Sequence, residues 1–220
     1  MSNGEQPTPQ DAKSVLEDLT HNEHFRLLRV VHGKVNLDPI YTGLRQYFKN
    51  IVDVNGAYLP GSVNQIPFYQ EVCIFTWRLI TNNQHVFEDF TQRSDFHEHF
   101  VLGLLILLDK SKKNPTKSNL MYLCIFMLLS MSSSRELAMT LNTPYVNSAI
   151  KFDMELPAEC TYADLVYLST YKLIHTGPRL LKPIYKSIVA VMANIAPYTR
   201  KLSKEACDGL MYLVSVFTRH

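Results

Sequence analysis

Glycine is scarce in this chain, at 8 of 220 residues. All-β folds and glycine-rich phosphate loops both usually need more, so the shortage leans toward helices. Charge of one sign is also lacking. Lysine and arginine number 22 against 20 acids, a net charge of +2. That balance gives no compositional reason to expect nucleic acid as a partner. There are four cysteines, Cys73, Cys124, Cys160 and Cys207, and no two of them form a CxxC pair. The spacing argues against zinc ribbons and against a disulfide framework. Free, buried thiols in a reducing compartment fit it instead. Long hydrophobic runs are missing as well. Leu120 to Leu129 is apolar throughout, but a helix needs about 20 such residues to cross a bilayer. The first residues lack a basic-then-apolar signal pattern, and the near-sequon Asn114-Pro115-Thr116 is disqualified by its proline, so the chain reads as cytosolic-facing. Ser2 stands where N-myristoylation requires glycine.

What the chain does contain is 46% apolar and 19% charged residues, enough to bury a core. The run Leu120 to Leu129 is apolar on every face and poor in β-branched residues, which predicts a central helix packed between others. Ser132-Ser133-Ser134 breaks it. A short helix from Arg135 to Leu141 follows, and Asn142-Thr143-Pro144 stops that one. The rest of the chain reads the same way. Residues 1–10 are a polar, proline-containing leader expected to be disordered, and residues 11–220 are expected to form a single helical repeat-like domain. Helical pattern is weak from Asp11 to Gly33. Asp38-Pro39 predicts a helix start, with Asp38 as the cap, and Asn55-Gly56 an end. Helices are expected at Pro67–Thr81, with Phe68, Val72, Phe75 and Leu79 on a broad apolar face, and at His85–Thr91. Another is expected at Asp95–Asp109, capped by Ser94-Asp95. Lys110–Lys117 reads as a basic loop and 146–160 as irregular. Helices then follow at Thr161–His175, with Thr161 as cap, and at Leu180–Ile195. The last begins after Ser203, with Cys207, Leu210, Met211, Val214 and Phe217 on one face. The succession predicts an all-α chain of roughly eight to ten helices. An irregular armadillo/HEAT-like helical solenoid is the natural architecture for it.

Tyr58-Leu59-Pro60 followed by IPFYQEVCIFTWRLI, then LMYLCIFMLLSMSSSRELAMTLNTPY at 120–145, TYADLVYLSTYKLIHTG at 161–177 and LLKPIYKSIVAVMANIAPYTRKLS at 180–203 form an ordered series. The series resembles the high-temperature-induced dauer-formation protein family, a relative of dymeclin, over about Tyr41 to Phe217. The turn Leu141-Asn142-Thr143-Pro144-Tyr145 carries much of the likeness. The resemblance implies a non-enzymatic helical scaffold on the cytosolic face of the Golgi, acting in secretory traffic and dense-core vesicle formation. It implies proteins of the secretory pathway as partners. Members are several times longer and typically N-myristoylated. The resemblance therefore places this sequence as an internal slice, in which Ser2 puts membrane anchoring in doubt.

The side-chain constellations are sparse. His21 and His24 could share a helix face but have no third ligand nearby, and His97 and His99 at i, i+2 point apart on a helix. No HExxH, G-x-S-x-G or P-loop motif occurs, so neither catalytic residues, cofactor nor metal are expected. A small helical enzyme with an unrecognised Cys/His site is the alternative. Arg179, Lys182, Lys186, Arg200, Lys201 and Lys204 fall in a stretch without any acid. They are the candidate contact for an anionic membrane surface or an acidic partner. Apolar faces left uncapped at the ends of such a slice also predict self-association.

Overall fold

The computed structural model describes residues 36–218, apart from 60, 113, 147, 148, 177 and 178. The leader at 1–10, the helical pattern at 11–33 and the His21/His24 pair lie outside the described residues. Among those described there are nine α-helices and no strand, with one isolated bridge between Pro144 and Thr161.

Helix α1 (Asp38–Gly56) buries Tyr41, Leu44, Phe48, Ile51 and Val52, the stripe its spacing predicts. Its start lies one residue off the expected cap. Asn36 Oδ1 accepts from the Asp38 backbone N–H at 3.0 Å, and Asp38 is already helical. Helices α2 (Tyr69–Asn82) and α3 (Gln84–Gln92) form a hairpin in which the Asn83 side chain caps α3 by accepting from Val86 N at 3.1 Å. The expected broad face of α2 is only partly used. Cys73, Thr76, Leu79 and Ile80 are buried, while Phe68, Ile74 and Phe75 are exposed.

The helix expected at Asp95–Asp109 opens as a π-turn, His97–Val101, before regular α4 (Leu102–Ser111). The wider turn sends Phe96, His97, Phe100 and Val101 all inward, and the Phe96 and Phe100 rings stack 4.5 Å apart. Asp95 does not cap this helix. It accepts from the Tyr41 hydroxyl at 2.6 Å and pairs with Arg45 at 2.5 Å. Every residue from Leu102 to Leu108 is buried. Gly103 permits this, because a Cβ there would lie 3.0 Å from the Phe48 ring of α1.

The central helix is α5 (Ser118–Ser132). It packs against α4, α2 and the later helices α6 (Arg135–Thr140) and α8 (Tyr185–Ile195). It is not enclosed on every side. Tyr122 and Leu123 are half-buried, and Phe126 reaches the surface, stacked on Trp77 at 6.5 Å. The helix enclosed all round is α4 instead. Each large side chain in this shared core contributes about 1.5–3 kcal/mol by leaving water.

After the irregular 146–160 stretch comes α7 (Tyr162–Thr176). The helix expected at Leu180–Ile195 is α-helical only from Tyr185, as α8, and Arg179–Ile184 is a 3₁₀ segment. Pro183 has no N–H, and its ring crowds the carbonyl four residues back, so the α ladder starts after it. The Tyr167 hydroxyl donates to Met192 O and the Tyr185 hydroxyl to Ile174 O, each at 3.3 Å, so α8 runs antiparallel to α7. Helix α9 (Lys204–Phe217) is capped by Ser203, whose hydroxyl accepts from Ala206 N at 3.2 Å. It lies along α7, with Gly209 against the Tyr171 ring and Tyr212 edge-on to His175. Its buried face is Ala206, Gly209 and Leu213. Of the apolar face predicted for this helix, Leu210 is half-buried and Cys207, Met211, Val214 and Phe217 are exposed. The small face of α9 allows the closer approach, and the larger apolar stripe is turned outward.

Candidate functional site

The turn Leu141–Tyr145 ties the later half of the chain together. Pro144 has no N–H and disfavours a helical Thr143, so α6 ends and its last carbonyls and side chains turn to other elements. The Asn142 side chain donates to Tyr198 O at 3.0 Å and accepts from Arg200 N at 2.8 Å. Leu141 O accepts from Ala163 N at 2.8 Å, Thr143 O accepts from Tyr162 N at 3.2 Å, and Tyr145 N donates to Cys160 O at 2.7 Å. The Thr143 hydroxyl spends its one hydrogen on Thr140 O at 2.8 Å. His97 Nε2 bonds the same oxygen at 2.9 Å. Charging this buried histidine is unfavourable, and burial lowers its pKa below 6.5.

Asp164 is the second hub, at 1% exposure. Its Oδ2 accepts from Thr161 N at 2.9 Å and from the Thr161 hydroxyl at 2.8 Å, and its Oδ1 accepts from Ser203 N at 2.7 Å. The Thr161 hydroxyl in turn accepts from Asp164 N at 3.1 Å, a reciprocal cap at the start of α7. One buried carboxylate thus closes the first turn of α7 and holds the residue that caps α9. Sequence reasoning finds Thr161 and Asp164 as a local cap but not the reach to Ser203, 39 residues on.

These bonds join one segment of the chain to another. Three thiols are buried, and Cys207 is exposed, contrary to the reading of buried thiols throughout. Burial pushes the Cys73 thiol up to about 12 and that of Cys124 well above its usual value. Burial, with the Asp164 charge, also raises Cys160 to about 12. His97 points to Thr143 and Tyr162, while His99 faces Asp95 at 3.9 Å. Among the described residues no group of three or more His, Cys, Asp or Glu side chains could hold a metal ion.

The six basic residues fall in two groups along the chain, one toward each end of α8. Arg179 and Lys182 lie in the 3₁₀ segment, and Lys182 and Lys186 are exposed at the start of α8. Arg200, Lys201 and Lys204 are exposed beyond its far end, roughly 20 Å away along the axis by helix rise. Lys201 pairs with Glu159 at 3.0 Å in the open. In the basic 110–117 stretch, Lys112 is occupied by Asp109 at 2.7 Å and Asp153 at 3.3 Å.

Between the two basic groups lies an apolar groove of about 410 Å³, walled by Val189, Met192 and Ala193 of α8 and by Leu210, Val214 and Phe217 of α9. Its sequence signal is the absence of charge from Ser187 to Thr199 and from Gly209 to Thr218. No helix among the described residues is long and apolar enough to cross a membrane.

Comparison with known proteins places this arrangement. The chain is 27% identical over 198 residues to Protein HID1 of Homo sapiens, an alignment covering 90% of this chain and 24% of that protein. It is 28% identical over 155 residues to Protein HID1 of Dictyostelium discoideum, covering 70% of this chain and 17% of the relative. The Ubp5-interacting protein ftp105 of Schizosaccharomyces pombe is 22% identical over 227 residues, covering 90% and 24%. The chain spans about a quarter of the length of the human relative it matches. No solved structure matches it. The family model described as high-temperature-induced dauer-formation protein matches residues 2–220. With an all-α framework closed by the Leu141–Tyr145 turn, and a match running nearly end to end, the chain belongs to the high-temperature-induced dauer-formation protein family.

Proposed function

We propose that the chain is a non-catalytic segment of an irregular armadillo/HEAT-like scaffold that supports Golgi and secretory-vesicle traffic from the cytoplasmic side by binding proteins. The observation that carries this reading is the use made of polar chemistry. Asn142, Thr143, His97 and Asp164 are engaged in holding helices together, and the buried thiols are kept protonated. What remains on the surface is suited to contact rather than reaction. The fission-yeast relative is itself described as an interacting protein, which supports protein binding as the family's mode of action. The separate basic groups at the two ends of α8 add a contact for anionic lipid head groups, at about 1 kcal/mol per basic residue near such a surface.

A fluorescently tagged chain expressed in secretory cells should collect on the cytoplasmic face of Golgi membranes, and an even cytoplasmic haze would count against the assignment. In vitro, the purified chain should float with vesicles containing anionic lipid, and less so as salt rises. Lys182→Glu with Lys186→Glu should abolish that flotation. Unchanged flotation removes the lipid contact from the proposal and leaves the protein-binding part to the cellular experiment.

A further inference from the structure

The outward face formed by α8 and α9 is the least finished surface among the described residues. Met211 is 68% exposed, Val214 56% and Phe217 47%; Val214 and Phe217 help to wall the apolar groove, and Met211 lies on the same exposed stripe. On α9 the exposed positions Cys207, Met211, Val214 and Thr218 are spaced 4, 3 and 4, the a/d spacing of a helix that packs against another helix. On α8 the facing positions Val189 and Ala193, and Ala196 just past its end, are exposed too, and the two alanines leave room for a close neighbour. Neither helix places a charge across this face between Lys186 and Arg200 or between Asp208 and Thr218. A helix face that met only water would carry some.

We propose that this face binds a second copy of the chain, with the two α9 helices antiparallel about a two-fold axis and each lying in the other's groove. The surface suits that partner because ridge and groove lie side by side on it. A two-fold operation therefore presents each with its complement. The large exposed side chains here supply roughly 500 Å² per copy, and the doubled patch reaches the ~1,000 Å² that a specific interface needs. Antiparallel helices also set opposite dipole ends together. An axis passing between Met211 and Val214 sets Met211 against the partner's Val214 and Cys207 against the partner's Thr218. The inference does not depend on the cellular role proposed above.

Sedimentation velocity on the 220-residue chain should show a monomer–dimer equilibrium in the micromolar range, as expected for an interface at the lower limit of size. Met211→Glu should weaken it by at least about tenfold while leaving the helical circular dichroism unchanged, since Met211 makes no part of the core. Alkylation of Cys207, the exposed thiol among the four, should slow as concentration rises. Thr218→Cys, mildly oxidised with glutathione disulfide, should give a covalent dimer through the native Cys207, and the unaltered chain should not. A chain that stays monomeric overturns the inference. So does a cross-link through Cys207 alone, which requires parallel helices. Polydisperse association indifferent to Met211→Glu also overturns it, in favour of the exposed Ile74 and Phe75 of α2 as the contact. Monomeric chain that floats with vesicles only when Met211 is intact would assign the face to lipid instead.

Discussion

Replacing Asp164 with alanine should be among the most damaging changes a polar position in this chain can suffer. The carboxylate is 1% exposed and accepts three hydrogen bonds, from Thr161 N, the Thr161 hydroxyl and Ser203 N. Alanine leaves the two backbone donors without their partner, and each such group costs about 1–3 kcal/mol when buried. The Thr161 hydroxyl loses its acceptor but can rotate, so it adds less. The sum is about 2–6 kcal/mol, a large share of the ~5–15 kcal/mol by which a domain is usually stable. Asparagine discriminates between size and chemistry. Both carboxylate oxygens accept here, whereas an amide has one accepting oxygen, and its NH₂ must face either Thr161 or Ser203 as donor against donor. Asp164→Asn should therefore lose about 2–4 kcal/mol despite its near-identical shape. Urea denaturation followed by far-ultraviolet circular dichroism measures both losses. Amide exchange at Ser203 should accelerate in both variants. A loss under about 1 kcal/mol for Asp164→Ala would refute the view that this carboxylate couples α7 to α9.

Two further outcomes follow from burial. Ile125 is fully buried on α5 and Leu123 only partly. Ile125→Asp should therefore abolish cooperative folding, at a cost above ~4 kcal/mol, while Leu123→Asp should leave a weakened but cooperative urea transition. Equal damage from the two would contradict the orientation of α5. Stability should also fall on mild acidification. Burial holds the His97 pKa below 6.5 in the folded chain. The unfolded chain therefore binds more protons between the folded value and 6.5, and the stability is fully present above that window and lost as pH drops through it. Burial, with Arg45 nearby, lowers His99 in the same direction. His97→Gln offers Thr143 an amide but does not titrate, so its urea midpoint should fall less than that of the unaltered chain between pH about 7 and about 5. Parallel pH profiles would exclude His97 as a contributor.

How much of this was legible in the sequence depends on the kind of information each element needed. Helix existence needed only periodicity and local caps. Ser203 and Thr161 are readable because a cap acts within four residues; the Asn55-Gly56 stop falls at the right place, though Gly56 is itself helical and the chain turns extended at Ala57. Boundaries failed where a longer-range demand overrode local pattern. The apolar spacing from Leu180 runs straight through Pro183, yet the α ladder waits until Tyr185. The DFHEHF segment opens a π-turn so that four side chains can point inward at once. The junction at Leu141–Tyr145 showed itself as a family-like turn. Its purpose did not, since Asn142 reaches Tyr198 and Arg200 more than fifty residues on.

The most instructive element is α9. Its stripe Cys207, Leu210, Met211, Val214 and Phe217 has the spacing of one helix face, which is all that the sequence predicts of it. Periodicity reports that a face is apolar. It does not report what that face meets. Helix α9 has two apolar sides, and packing within the chain selects the smaller, because Ala206 and Gly209 let the backbone approach Tyr171 where Met211 would hold it off. The larger stripe is left outward with its groove. An apolar helix side that no other described residue covers is a candidate contact surface. In this chain the strongest sequence signal for an interaction surface was therefore the same periodicity that a core face shows.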